Sequence, residues 1–255
     1  MNILQDILED KRKEIESTKK QLPIARLKES IEKQDRRSFS EALRRSSFSL
    51  IAEIKKASPS RGVLTAQFDP AELATAYEKL GANALSVLTD AKYFQGKKEF
   101  IRLTKAHCSL PVLRKDFILD EYQVYESLSL GADAILLIVK ILSDEQLSRL
   151  HSCAKDLGLD VLVEAHSEEE VDRADRLGAE IIGINNRNLE TFEVLLERSL
   201  TLRAKIRKGA IAVAESGIKS AADVEKVRAA GFHAMLVGEG LVGENNATFR
   251  EHLIR

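Results

Sequence analysis

A short unit of polar and apolar positions recurs along the chain. Apolar residues at helical spacing lead to a glycine, two connecting residues follow, and an unbroken aliphatic or β-branched run comes next. The unit reads KLGANALSVL around Gly81, SLGADAILLI around Gly131 and DLGLDVLVEA around Gly158. It returns as RLGAEIIGIN around Gly178 and AAGFHAMLVG around Gly231. Glycine suits the left-handed position just past a helix C-terminus. The apolar runs are too short for helices and do not alternate, which is the pattern of parallel strands covered on both faces. Each unit therefore predicts a helix, a tight turn and a buried strand.

Three further runs lack the glycine entry: Ser49–Ile54, Ile211–Glu215 and Pro111–Arg114, the last with proline where a strand tolerates a missing N–H. Strands are thus expected near 49, 84, 111, 134, 160, 181, 211 and 234, with helices between them. Asp69-Pro70-Ala71-Glu72 places an N-cap before a proline at the first helical position. The stretches beginning at Ser143 and Ser220 resemble capping boxes. Eight βα units predict the α/β class and a (β/α)8 TIM barrel. A doubly wound open sheet would carry GxGxxG after its first strand, and the residues after the first strand here lack it.

Residues 1–45 read as an N-terminal helical extension. Ile3, Leu4, Ile7, Leu8 and Ile15 have helical spacing, and Leu27, Ile31 and Phe39–Leu43 suggest shorter helices. These could cap the barrel bottom or cover its mouth. No linker or low-complexity segment divides the chain, so one domain over 1–255 is expected. That length suits such a barrel, for which about 250 residues is typical.

Composition narrows the function classes. Hydrophobic residues make up 44% and charged residues 31%, enough apolar surface for a core and against disorder. With 39 Lys+Arg against 40 Asp+Glu, a general basic field for nucleic acid is excluded, though a local anion site is not. The cysteines Cys108 and Cys153 form no CxxC, and the five histidines lack metal-ligand spacing. The N-terminus lacks a signal-peptide pattern and no apolar run has transmembrane length, so a cytoplasmic location away from membranes is expected. The doublets Lys19-Lys20, Arg36-Arg37 and Arg44-Arg45 read as solvated surface.

Barrel active sites lie at the C-terminal ends of the strands. There the apolar runs finish in ionisable or amide groups: Glu53 and Lys55, Arg114 and Lys115, Lys140, Glu164, Asn185 and Glu215. Any one of them could simply be polar rim. Together, two lysines and three glutamates around one cavity are costly unless paired, and such clusters serve acid–base chemistry. Lysines beside carboxylates can deliver protons, with Glu164 as the base partner. Phe94 and Phe117, in loops after the second and third runs, could wall a pocket for an aromatic ring. Ser216-Gly217 and Gly238-Glu239 follow the seventh and eighth runs, where backbone N–H groups and a helix N-terminus bind phosphate. Arg187 and the loop through Ser58 add anion donors.

Six segments together resemble the indole-3-glycerol phosphate synthase family: IAEIKKASPSRG (51–62), LTDAKYFQG (88–96), PVLRKDFILDEYQVYES (111–127), VLVEAH (161–166), IGINNRNL (182–189) and AESGI (214–218). The resemblance spans nearly the whole chain. It implies ring closure, decarboxylation and dehydration of 1-(2-carboxyphenylamino)-1-deoxyribulose 5-phosphate, a phosphorylated anilino-ribulose, without cofactor or metal. Carried over by position, Lys115 matches the general acid, Glu164 the base, and Lys55 a substrate-holding lysine that shares in proton transfer. Glu53, Asn185 and Glu215 match the polar network that orients these groups. Ser58 and Arg187 match substrate contacts, Phe94 and Phe117 the aromatic pocket, and Ser216, Gly217, Gly238 and Glu239 the phosphate loops. Gly240 replaces a common serine, and Ala165 a larger aliphatic residue; neither touches the acid or the base. Nucleic acid and membrane are not implied as partners, and a monomer or weak homo-oligomer is expected. Two competing readings are a Schiff-base aldolase using Lys55 or Lys115 and a non-catalytic barrel serving as a binding module.

Overall fold

The structure, a computed structural model, describes residues 3–31, 35–64 and 67–241. Residues 242–255, part of the expected domain span, lie outside the described residues. Within them, eight parallel strands close into a barrel: β1 Ser49–Ile54, β2 Ala84–Leu88, β3 Val112–Lys115, β4 Ala134–Ile138, β5 Asp160–Ala165, β6 Ile181–Asn185, β7 Ile211–Glu215 and β8 Ala234–Val237. Each strand pairs with its neighbours in sequence, and β8 pairs with β1. All eight lie where the sequence placed them. The third begins one residue later than expected, because Pro111 contributes only its carbonyl, to Leu85 N–H. The shift makes Lys115 the final residue of the strand.

The glycines behave as the repeat requires. Gly81, Gly131, Gly158, Gly178 and Gly231 all have φ between 71° and 90°. Helix starts follow the sequence as well. Asp69 caps α4 (Pro70–Lys79), and Ser143 and Ser220 form capping boxes on α8 (Asp144–Asp156) and α11 (Ala221–Ala229). The remaining barrel helices are α5 (Ala91–Phe94), α6 (Glu99–His107), α7 (Glu121–Leu130), α9 (Glu168–Leu177) and α10 (Glu197–Leu202).

Period-two alternation divides the core into two shells. Ile51, Leu113, Leu136, Leu162, Val213 and Leu236 pack inside the barrel. Ala52, Leu85, Ile135, Val163, Ile184 and Met235 face the helices. Ala165 belongs to the outer shell, so its small side chain changes packing away from Glu164. Continued to the strand ends, the inward phase delivers Glu53, Lys115, Glu164, Asn185 and Glu215 to the mouth.

The extension does both of the things its sequence left open. Helix α1 (Ile3–Gln21) covers the mouth: Leu4 and Ile7 line the cavity there. Helix α3 (Phe39–Arg44) plugs the bottom, where Phe39 and Leu43 join the inner core. Ser40 N–H bonds Asp160 at the start of β5, which ties α3 to that end. Helix α2 (Ile24–Glu29) lies between them and ends before Ile31, which is outside the helix expected for it.

Four residues of the basic doublets are exposed, as expected, while Lys19 and Arg37 are partly buried. The Arg37 guanidinium donates to the carbonyls of Cys108, Leu110 and Lys105, and its N–H to Asp133. Arg36 donates to Leu157 O, and Lys19 pairs with Asp120 at 2.7 Å. Carbonyls at the barrel bottom need donors, and Arg36 and Arg37 satisfy these. Arg44 and Arg45 are exposed, as expected.

Candidate active site

At the C-terminal ends of the strands lies a cavity of about 1190 Å3, counting the space open to solvent. Every residue singled out from the sequence for catalysis, substrate binding or phosphate binding lines it: Glu53, Lys55, Ser58, Phe94, Lys115, Phe117, Glu164, Asn185, Arg187, Glu215, Ser216, Gly217, Gly238 and Glu239. Lys140 does not; it stands on a 3-10 turn after β4 and pairs with Glu190 at 2.9 Å.

Lys115 is the centre of the charge cluster. Its Nζ lies 3.1 Å from Glu164 Oε2 and 3.2 Å from Glu215 Oε2. Burial works against its charge, but Glu164, Glu215 and Glu53 outweigh that penalty and hold its proton more tightly than in a free lysine. The two carboxylates then divide. Burial would raise Glu164, yet Lys115, His166 and a hydrogen bond from Asn185 keep its carboxyl below the usual carboxylate range. Burial pushes Glu215 up to about 8, against the pull of Lys115 and with Glu164 adding to the rise. With two acids beside one ammonium, burial thus pushes Glu215 towards its neutral form while Glu164 is held towards its ionised form.

A second pair stands across the mouth. Lys55 Nζ is 2.6 Å from Glu53 Oε1. Glu53 is buried but stays below its usual range because burial is outweighed by Lys55 and Lys115. Lys55 follows the end of β1 and, two residues from Glu53, continues the face of that strand.

Two glycines make room for these acids. A Cβ on Gly183 would stand 2.0 Å from Glu215 Oε1, and one on Gly238 would stand 2.5 Å from Glu53 Oε1. Gly183 was not singled out from the sequence, because a glycine inside an apolar run shows nothing of what leans over it. Asn186 also went unread. It is fully buried, donates to the carbonyls of Glu215 and Ser216, and accepts from Ser199, so it fixes the chain where β7 ends. The Asn185-Asn186 pair at a strand end was its only signal.

The aromatic walls converge as expected. Phe94 and Phe117 have ring centroids 6.3 Å apart. Phe94 belongs to the short helix α5, capped by Asp90, rather than to a loop. Leu4 and Ile7 complete this apolar end of the cavity.

At the other end, Ser216 and Gly217 have φ of 64° and 83°. Gly217, with no side chain, lets the backbone here approach a ligand in the cavity closely. The Glu239 carboxylate pairs with Arg187 at 2.8 Å and Arg61 at 3.1 Å. Arg61 belongs to a hairpin of Ala57–Ser58 and Gly62–Val63, whose Ser58 reaches the cavity.

Comparisons with known proteins agree with this geometry. A sequence model of the indole-3-glycerol phosphate synthase family matches residues 4–253. The chain is 51% identical over 244 residues to the indole-3-glycerol phosphate synthase of Chlorobium phaeovibrioides, covering 94% of this chain and 95% of that one. It is 47% identical over 248 residues to that of Chromobacterium violaceum, covering 95% and 94%. Among solved structures it resembles a mandelate oxidase mutant (TM-score 0.57, 19% identity, covering 82% of this chain and 69% of that one). It also resembles a thiamine phosphate pyrophosphorylase from Pyrococcus furiosus (TM-score 0.58, 17% identity, covering 85% and 96%). At those identities the two structures speak for the barrel alone.

Proposed function

The chain belongs to the indole-3-glycerol phosphate synthase family, and from that premise we propose how its mouth residues divide the work. The reaction closes the indole ring of 1-(2-carboxyphenylamino)-1-deoxyribulose 5-phosphate with loss of CO2 and water, a step of tryptophan biosynthesis. A ring carbon attacks the ribulose carbonyl, and that oxygen gains negative charge. An ammonium fixed beside it stabilises the charge and transfers a proton, because an alkoxide is a stronger base than any amine. Lys115 is that ammonium in our reading.

Loss of CO2 restores the aromatic ring. Dehydration then requires one proton delivered to the hydroxyl and another taken from carbon. Glu164, kept ionised, is suited to accept. Glu215, which keeps its proton to about pH 8, is suited to supply. Lys55, paired with Glu53, would hold the substrate carboxylate until the ring has closed. Asn185 would orient Glu164, and Ser58 and Arg187 would contact the sugar phosphate. Phe94 and Phe117 would receive the carboxyphenyl ring. The backbone N–H groups of Ser216, Gly217, Gly238 and Glu239 would receive the phosphate, helped by the N-terminus of α11. For Glu239 this means the main chain, since its carboxylate would repel phosphate and is already engaged by two arginines.

One observation carries the reading: the single ammonium of Lys115 lies 3.1 Å from Glu164 and 3.2 Å from Glu215, two buried carboxyl groups at the cavity. It also speaks against a Schiff-base aldolase, which needs a neutral lysine amine where Lys115 is held charged. The experiment is a fluorescence assay for the indole product from the anilino-ribulose phosphate. Turnover supports the reading. A covalent adduct trapped by borohydride during turnover would favour the aldolase mechanism instead.

A further inference from the structure

Behind the aromatic wall, six charged side chains close into a ring. Lys11 Nζ lies 2.9 Å from Asp116 Oδ1, and Asp116 Oδ2 lies 3.2 Å from Arg114 Nη2. Arg114 is 2.8 Å from Glu126, which is 2.8 Å from Lys98. Lys98 is 3.5 Å from Glu14, and Glu14 returns to Lys11 at 2.8 Å. Cation and anion alternate at every step. The members come from α1, β3, α7 and the entry to α6, so the ring fastens the extension to the barrel. Lys11 has a third carboxylate, Asp90, at 2.9 Å.

Arg114 lies on the opposite face of β3 from Lys115, Asp116 borders the cavity, and the chemistry proposed above does not use the ring. Lys11 is nevertheless only 2% exposed. An ammonium so buried is costly unless firmly paired, so its presence on the apolar face of α1 calls for a reason. Its partners supply one. Asp116 Oδ1 also accepts the N–H of Phe117 at 2.8 Å. Asp90 Oδ1 accepts the N–H of Tyr93 at 2.8 Å and so caps the helix that carries Phe94. Lys11 stands one turn beyond Ile7, which with Leu4 forms the roof of the same pocket. A single ammonium therefore contacts the carboxylate behind each phenyl ring and belongs to the helix that covers both.

We propose that Lys11 is a positioning residue for the reaction: through Asp116 and Asp90 it sets Phe117 and Phe94 against the roof of α1, and so shapes the slot for the substrate's carboxyphenyl ring. Apolar contacts are not directional and would let the rings drift, whereas buried ion pairs at these distances fix the backbone that bears them. The inference rests on the reading above that these two rings hold the substrate.

The test compares Lys11→Met, Lys11→Arg and Phe117→Ala with the wild-type protein in the fluorescence assay. Lys11→Met should raise KM by at least about tenfold while kcat stays within about threefold, since the slot is disturbed and the acid–base cluster is not. Lys11→Arg, which keeps the charge, should restore most of the wild-type KM. A purely structural role would instead lower the fraction of active protein, reducing kcat with KM unchanged, and that result overturns the proposal. If Lys11→Met does not fold, Asp90→Asn weakens one of the two ion pairs through which Lys11 acts while its side-chain oxygen can still cap α5, and it should raise KM in the same direction; an unchanged KM there also overturns the proposal. Phe117→Ala separates the two levels. A KM unmoved by that change would fail the aromatic-slot reading itself, whereas a raised KM with Lys11→Met unaffected would fail only the role of Lys11.

Discussion

Lys115 and Glu164 stand 49 residues apart in sequence, yet their charged tips meet at 3.1 Å. The barrel makes this contact: β3 and β5 flank β4, and the inward phase of each strand ends in one of the two groups. The acid–base chemistry proposed for the site rests on that meeting, and so do the predictions below.

Glu164→Gln removes the carboxylate proposed as the base while keeping the shape of the side chain. Its kcat should fall by about a hundredfold or more, the usual worth of a positioned general base. KM should move much less, because the aromatic slot and the phosphate loops remain. Steady-state kinetics with the anilino-ribulose phosphate measures both.

Glu215 makes stability depend on pH. Its folded carboxyl titrates at about 8, above the usual carboxylate range, so folding favours its protonated form. That contribution is fully present below the ordinary carboxylate pKa and is lost as pH rises through about 8. Glu215→Gln cannot ionise. Relative to this variant, the wild-type protein should therefore lose Tm between pH 5 and pH 8. Thermal melts at the two pH values decide it; parallel curves would show that Glu215 ionises normally.

Gly183→Ala should be poorly tolerated. The added carbon would meet Glu215 Oε1 at 2.0 Å, so the carboxylate must leave its place beside Lys115. Overpacking of this kind costs about 1–3 kcal/mol. Both Tm and kcat should fall, whereas substitution at a glycine that merely ends a helix would lower Tm alone.

The phosphate loops can be tested from the substrate side. A dephosphorylated substrate should bind at least about tenfold more weakly, the worth of one hydrogen bond to a charged group. Equal affinity for both forms would remove Ser216, Gly217, Gly238 and Glu239 from the account.

Much of this was legible before any coordinates, for a physical reason. The barrel repeats one unit, so helix-ending glycines and apolar runs locate the strands, and in five of the eight runs a polar residue at the end of the strand reaches the mouth: Glu53, Lys115, Glu164, Asn185 and Glu215. What stayed hidden depended on contacts between units. Lys11 looks like a surface lysine because its three carboxylate partners lie 3 to 105 residues away. Arg37 read as solvated because the carbonyls it serves belong to a distant loop. Nothing in the sequence around Gly183 says that Glu215 leans across it, and nothing around Glu239 says that its carboxylate turns to Arg187 and Arg61. The extension's division between roof and plug was likewise undecided, since helical periodicity shows that a face is buried but not against which end of the barrel.

The most direct test is the kcat of Lys115→Ala in the indole fluorescence assay. The account predicts a loss of at least about a hundredfold, because no other ammonium lies between Glu164 and Glu215 among the described residues. A loss smaller than about tenfold would contradict it, for then the proton would reach the ribulose oxygen by a route that does not pass through Lys115.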